Sequence, residues 1–300
     1  MYSTATATAR TDMPPAFPYR ATHLITRPLG QGQEGEVLAF LARRPLHTVI
    51  MSGFVRDNGL VSPLNRGTFY GCYDTAGKLE GVAIIGHVIM FETCDDQALE
   101  VLAQVARKHQ PAHVIVGEQE RVERFWDFYG AGQSMRRLCR ELLFEQRYPV
   151  EVHEAVDLRL ATVADLEPLL PVHAQMAFEE GGINPLEKDP VGFRERTTRR
   201  IEQGRVWVSM DQGRLVFKAD VVSDTPEQVF VEGVFLRPQE QGKGLGVRFV
   251  SQLSRCLLAK TKSVSMLVNE KNAVAQACYR KAGYKERGHY AYIYLQQSNN

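Results

Sequence analysis

The apolar positions of the chain fall into two stretches, each alternating between helix-like and strand-like spacing. In the first, Val37, Leu38 and Leu41 line one side of a predicted helix over Glu34–Arg43, and His47–Val55 is β-rich. Gly67–Tyr73 and Leu79–Met90 are predicted as neighbouring strands joined by the turn Asp74-Thr75-Ala76-Gly77. Asp95 or Asp96 caps a helix over Gln97–His109, with Ala98, Val101, Leu102 and Val105 on one face. A short buried strand, Ala112–Gly117, and a helix, Glu120–Tyr129, follow.

The second stretch begins after Tyr148-Pro149. It predicts a strand over Asp157–Ala161, a helix from Ala164 to Phe178 ended by Gly181-Gly182, and a helix over Pro190–Gln203. Arg205–Met210, Arg214–Val222 and Gln228–Leu236 have meander spacing, the first two joined by the hairpin turn Asp211-Gln212-Gly213. Gly244–Lys260 is a helix, Ser263–Val268 a strand, Ala273–Ala282 a helix and Tyr284–Leu295 the closing strand. Both stretches end on hairpin, long strand, helix, strand, helix. Any two α/β domains can share that order, but a duplicated architecture explains it directly. The expected division is a disordered tail at 1–20, one domain at 21–149 and a second at 150–300.

Composition narrows the function classes. The chain of 300 residues carries 36 basic and 35 acidic side chains. That balance supplies no whole-molecule field for nucleic acid or an anionic membrane. The five cysteines include no C-x-x-C pair, so reduced thiols in a cytoplasm fit better than a disulfide framework or zinc site. His109 and His113 have the spacing of a metal pair, but Pro111 breaks the helix that would align them, and no metal is expected. No apolar run approaches the ~20 residues of a membrane span, and the N-terminus lacks the apolar core of a secretory signal.

The segment richest in chemistry is Val229–Val250. An apolar strand ends at Leu236, Arg237-Pro238 stop it, and Gln241-Gly242-Lys243-Gly244-Leu245-Gly246 lead into an amphipathic helix. Glycines there let successive N–H groups point one way, and the positive end of the helix adds to the field, so a diphosphate is the natural occupant. A nucleotide P-loop fails on residue type, because Gly244-Leu245 rather than Ser or Thr follows Lys243. The dinucleotide fingerprint fails on glycine spacing and on the hairpins that precede the loop.

This loop resembles the acyl-CoA signature of the GNAT acyltransferase superfamily, Gln/Arg-x-x-Gly-x-Gly/Ala, matched by Gln241, Gly244 and Gly246. A second signature follows at the expected separation: Asn272, Ala275, Cys278, Tyr279, Lys281, Gly283 and Tyr284, with Cys278 where the family usually has Leu. The resemblance covers about 155–295. Phe178–Pro185 and Arg214–Asp220 are similar to a bacterial subfamily whose N-terminal half is a degenerate copy of the same domain. The implied fold is α/β (α+β), two GNAT-like domains in tandem, each a mixed, mostly antiparallel sheet flanked by helices. No glycine loop lies between Glu92 and Gln97, so the first copy is not expected to hold CoA.

The resemblance also implies roles. The backbone of Val234, Phe235 and Leu236 would pair with the pantetheine arm of acetyl-CoA. The N–H groups of Gly242, Lys243, Gly244, Leu245, Gly246 and Val247, after Gln241, would cradle its diphosphate. The Lys243 side chain adds a charge or points to solvent. Asn272 bonds the cofactor, or serves as a plain helix cap, or both. Tyr279 holds the family's general-acid position, against the alternative of an aromatic packed under the sheet. For the base, the usual acidic position on the fifth strand is Leu267, which leaves Glu232 on the fourth. Glu232 is equally readable as an ion-paired carboxylate with Lys218 as partner. Glu179 and Glu180 are candidates for recognising a cationic amine, and His289 is a weaker base candidate. The implied activity is transfer of an acetyl group from acetyl-CoA to a primary amine, on a small molecule or a protein. The alternative is an acyl-CoA-binding sensor or scaffold with weak or no catalysis. A homodimer is compatible with either.

Overall fold

The computed structural model describes residues 23–109, 112–151 and 156–296; the tail expected at 1–20 lies outside the described residues. The first half runs β1 (Ile25–Pro28), α1 (Glu34–Leu41), α2 (Pro45–Asn58), β2 (Gly67–Tyr73), β3 (Leu79–Gly86), β4 (Val88–Thr93), α3 (Asp96–Ala106), β5 (Val114–Glu118), α4 (Gln119–Tyr129) and β6 (Met135–Gln146). The second runs β7 (Arg159–Leu160), α5 (Leu166–Gly181), α6 (Pro185–Lys188), α7 (Pro190–Glu202), β8 (Val206–Asp211), β9 (Arg214–Asp224), β10 (Val229–Leu236), α8 (Leu245–Leu258), β11 (Val264–Asn269), α9 (Ala273–Lys281) and β12 (Lys285–Leu295). The same succession therefore occurs twice, with the short helix α6 as the main addition.

Three expectations need correction. His47–Val55 lies inside helix α2, not a strand. Its start and stop signals outweigh its β-branched content: Pro45 opens the helix, and Gly59 follows it with φ 73°. Leu79–Met90 is two strands, broken after Gly86. A Cβ on Gly86 would lie 2.5 Å from the Gly67 Cα, so the chain turns there against its neighbour. The predicted strand Asp157–Ala161 shrinks to Arg159–Leu160, paired on the sheet edge with β8. The strand β6 is new: nothing in the apolar spacing marked it out.

All the strands join one twelve-stranded sheet, ordered β1-β2-β3-β4-β5-β12-β6-β11-β10-β9-β8-β7. The two last strands are exchanged. β12 pairs with β5 of the first half (Tyr290 opposite Glu118), while β6 pairs with β11 of the second (Glu141 opposite Asn269). They also pair with each other, Tyr290 opposite Glu141, at the pseudo-two-fold centre of the sheet. Residue 149 lies in the connection between β6 and β7, so each exchanged strand stands on the far side of that connection from the half whose sheet it completes. Gly283 supports the exchange: at φ 93°, a Cβ there would lie 2.9 Å from Gln146 Nε2 on β6 and 2.6 Å from Val150 Cγ1. Gln146 Nε2 donates to Ala282 O at 2.9 Å, tying the two exchanged segments together.

Helices cover both faces. On one, α8 and α9 pack Phe249, Val250, Leu253 and Tyr279 over Phe144, Val231 and Met266. On the other, α5 and α7 bury Leu169, Leu170 and Ile201 against Val206 and Val208, and α2 lies against β9. There the Ser223 hydroxyl donates to Val49 O at 2.6 Å, and Gly53 permits the close approach.

Candidate active site

The parallel pair β10–β11 holds register only at Val229–Val264, Phe230–Ser265 and Val231–Met266. Beyond it a β-bulge intervenes, with Gly233 at φ 59°, and β10 bends away with β9, Phe235 opposite Lys218 and Leu236 opposite Phe217. A bulge adds a residue to one strand and turns it. The two strands splay, and the edge of β10 through Val234, Phe235 and Leu236 is left unpaired on the β11 side. Any side chain at position 233 would strike the ion pair beneath it, since a Cβ would sit 2.9 Å from both Lys218 Nζ and Asp220 Oδ2.

The glycine loop continues from that edge. Gly242 (φ 75°) and Gly244 (φ 77°) turn the backbone through the left-handed region, and Gly244 caps α8. A Cβ at either position would meet nothing within 4 Å, so the requirement there is conformational. Gly246 differs: its Cβ would lie 3.3 Å from Cys278 Sγ, the residue that replaces the family's leucine. Among the described residues, the N–H groups of Gly242 through Val247 have no backbone acceptor outside the helix, and they lead into its positive end. Gln241 Nε2 donates to Leu236 O at 3.1 Å and ties the loop to the strand. Lys243 Nζ is 3.1 Å from Glu240 Oε2 and largely exposed, a surface pair.

Asn272 caps α9, its Oδ1 accepting from Ala275 N at 3.0 Å. Tyr279 is only 6% exposed, packed edge-to-face on Phe144 with centroids 6.0 Å apart. No hydrogen bond to its hydroxyl occurs among the described residues, and burial pushes its pKa up, so the phenol stays protonated.

Glu232 pairs with Arg200 of α7 at 3.4 Å, not with Lys218. Lys218 is wholly buried and committed to Asp220 at 2.7 Å. Burial lowers the lysine; for Asp220, burial is outweighed by the charges of Lys218, His173 and Arg200, which bring its pKa down, so the aspartate is ionised. Half of the Glu232 side chain is reachable by water, yet protein surrounds it, as at the bottom of an open cleft. Burial raises its pKa despite Arg200.

Two more carboxylates face that cleft. Glu180, at the end of α5, accepts from the Tyr294 hydroxyl at 3.3 Å. Burial and then Glu232 raise its pKa to about 7. Glu141, on the exchanged strand β6, is raised to about 8 by burial, then by Glu180 and Glu232. Glu141 is absent from the sequence-derived candidates, because its strand went unread and belongs to the other half of the chain. The unassigned stretch 130–148 was itself a signal, too long for an ordinary connection in a compact domain. His289 is exposed on β12, opposite Leu142 of β6. His109 bonds Tyr70 at 2.9 Å while His113 stacks on His87, so the two rings have different partners.

In the first half the corresponding splay is bridged by ion pairs. β4 and β5 pair only at Val88–Val114 and Ile89–Ile115. Arg44 then bridges Glu92 (3.2 Å) and Glu118 (2.7 Å), and Arg121 adds a second contact to Glu92 at 3.1 Å. Asp95 places its own carboxylate on the N-terminus of α3, accepting from Ala98 N at 2.8 Å. That helix N-terminus already has a carboxylate of the chain on it, unlike the start of α8.

Comparison with known proteins agrees with this geometry. Residues 225–293 match the family profile described as FR47-like protein, a span that takes in β10, the glycine loop, β11, α9 and most of β12. About nine-tenths of the chain superposes on solved structures. One is a GNAT-family acetyltransferase from Colwellia psychrerythraea (TM-score 0.57, 11% identity, 91% of this chain and 100% of that one). Another is a tandem GNAT protein from the clavulanic acid biosynthesis pathway (0.55, 12%, 92% and 100%). The chain has the tandem GNAT fold. A Drosophila protein superposes with TM-score 0.66 at 13% identity, over 92% of this chain and 99% of that one. No curated protein sequence matches.

Proposed function

We propose that the protein is an N-acyltransferase that moves the acetyl group of acetyl-CoA to a primary amine by direct transfer. The observation that carries this reading is the splay of β10 from β11 at Gly233, continuous with the unsatisfied N–H groups of Gly242–Val247. The free edge of Val234–Leu236 offers hydrogen bonds to an extended amide chain such as pantetheine, and the loop offers them to a diphosphate.

The chemistry follows from the residues around the splay. An arriving alkylammonium gives a proton to one of the carboxylates of the cleft. Glu141 and Glu232 are the candidates, both raised by burial, and Glu141 at about 8 is matched to that task. The free amine attacks the thioester carbonyl carbon, forming the N–C bond, and a backbone N–H of the β10 edge stabilises the oxyanion. The C–S bond then breaks. Tyr279 protonates the departing sulfur and recovers a proton as the amide nitrogen loses its own. Asn272 acts here through its cap, fixing the start of the helix that carries Tyr279.

Acetyl-CoA turnover against a panel of primary amines tests this reading. Tyr279→Phe is expected to lower kcat on the order of 100-fold with acetyl-CoA affinity kept. Tight acetyl-CoA binding without turnover of any amine would instead support a sensor.

A further inference from the structure

Resting on that reading, we propose that the acceptor is an amine that also carries an anionic group, its ammonium on the cleft carboxylates and its anion in a basic crevice at the cleft mouth. The groups that form it come from the first half of the chain, from Arg136 where it meets Gly181 at the end of α5, and from Lys188 and Arg196 of the α6–α7 segment, whose charges act on His87. His87 and His113 stack there with ring centroids 4.9 Å apart and planes 12° from parallel. Arg66 adjoins them through the turn into β4, its carbonyl accepting from His87 N at 2.8 Å. Arg136 lies over the Tyr294 ring, 5.5 Å from its centroid, and donates to Gly181 O at 2.6 Å.

One side chain joins this crevice to the carboxylates. Tyr294 meets His113 edge-on, with centroids 5.8 Å apart, while its hydroxyl donates to Glu180 at 3.3 Å. The negative floor and positive mouth are therefore one tyrosine side chain apart, on the same face of the sheet. Neither Arg66 nor Lys188 has a carboxylate partner among the described residues, whereas Arg196 is paired with Asp189 at 2.9 Å. Burial pushes His87 down to about 4, and the charges of Arg66, His113, Lys188 and Arg196 push in the same direction. Cations gathered without a counter-charge repel one another, and a carboxylate or phosphate placed among them relieves that repulsion. A plain alkylamine leaves it in place, and a diamine adds to it.

The test compares ω-amino acids of increasing chain length, aminoalkyl phosphates, alkylamines of matched length and diamines as acceptors. For at least one chain length, kcat/KM for an anionic amine is expected to exceed that of the matched alkylamine about tenfold or more. The carboxylate and phosphate arms tell the two anions apart. In Lys188→Glu and Arg66→Glu, both surface changes, the ratio of anionic to neutral acceptor should fall about tenfold or invert. Calorimetric titration of the same amines into both proteins gives a readout independent of turnover. Equal kcat/KM for charged and uncharged acceptors, or a preference for diamines, overturns the proposal and leaves the acyltransferase reading standing. Acetyl-CoA binding with no turnover overturns that reading; tighter binding of the anionic amines that Lys188→Glu abolishes would still uphold the crevice.

Discussion

Replacing Glu141 by Gln removes a carboxyl whose pKa the fold raises from 4.5 to about 8. In the unfolded chain that group ionises at its ordinary value. Between these two limits the folded protein holds a proton that the unfolded chain has released. The sign follows: this contribution to stability is fully present below about pH 4.5 and is lost as the pH rises through about 8. At about 1.4 kcal/mol per pH unit, the whole interval would amount to roughly 5 kcal/mol. Glu141 is partly open to the cleft, where water screens the repulsion from Glu180 and Glu232, and about 2 kcal/mol is the expected cost at high pH. Glutamine has nearly the same shape and cannot ionise. Glu141→Gln should therefore match the wild type at pH 4.5 and exceed it by about 2 kcal/mol at pH 9, a rise in Tm of about 3 °C for a chain of this size. Thermal and urea unfolding of both proteins at the two pH values measure it. The same variant should lose acyl transfer, and with it the rising limb of kcat/KM toward pH 8. A difference in stability independent of pH, or a loss at pH 9, would refute the argument.

The remaining predictions concern the loop, the splay and the exchange. Gly244→Ala forces a Cβ into φ 77° without any clash; a cost of about 1 kcal/mol should weaken acetyl-CoA binding on the order of fivefold, read by calorimetry. Lys218→Met removes the 2.7 Å partner of buried Asp220 and leaves it only Arg200 at 3.5 Å, and should destabilise the fold by about 3 kcal/mol in denaturant unfolding. The double change Lys218→Met with Asp220→Leu should recover much of that loss, and no recovery would count against the pair as the cause. Gly283→Ala should destabilise the fold through a φ of 93° and the close approach to Gln146 and Val150, by more than about 1 kcal/mol, and lower Tm accordingly. An unchanged Tm would show that the join between the exchanged strands has slack.

Much of the second half was legible in sequence because its signals are local. Positive-φ glycines mark the loop at 242 and 244, Asn272 and Asp95 mark helix starts, and Gln212-Gly213 marks the β8–β9 hairpin. The repeat was legible as an order of elements. The α2 segment misled because β-branched residues report burial as much as extension, while the cues at Pro45 and Gly59 were local and available.

What the sequence by itself determined is the glycine loop: a cradle of backbone N–H groups is made by consecutive residues whose φ angles and helix start are written in their identities. What only the tertiary structure decided is which carboxylates meet in the cleft. Glu232 is held by Arg200 from α7, and Glu180 meets Tyr294 from β12. Glu141 arrives on a strand that the first half lends to the second. Such neighbours depend on strand order and exchange, which are settled by long-range pairing of the sheet. No spacing along the chain encodes that a residue at 141 will lie opposite one at 269.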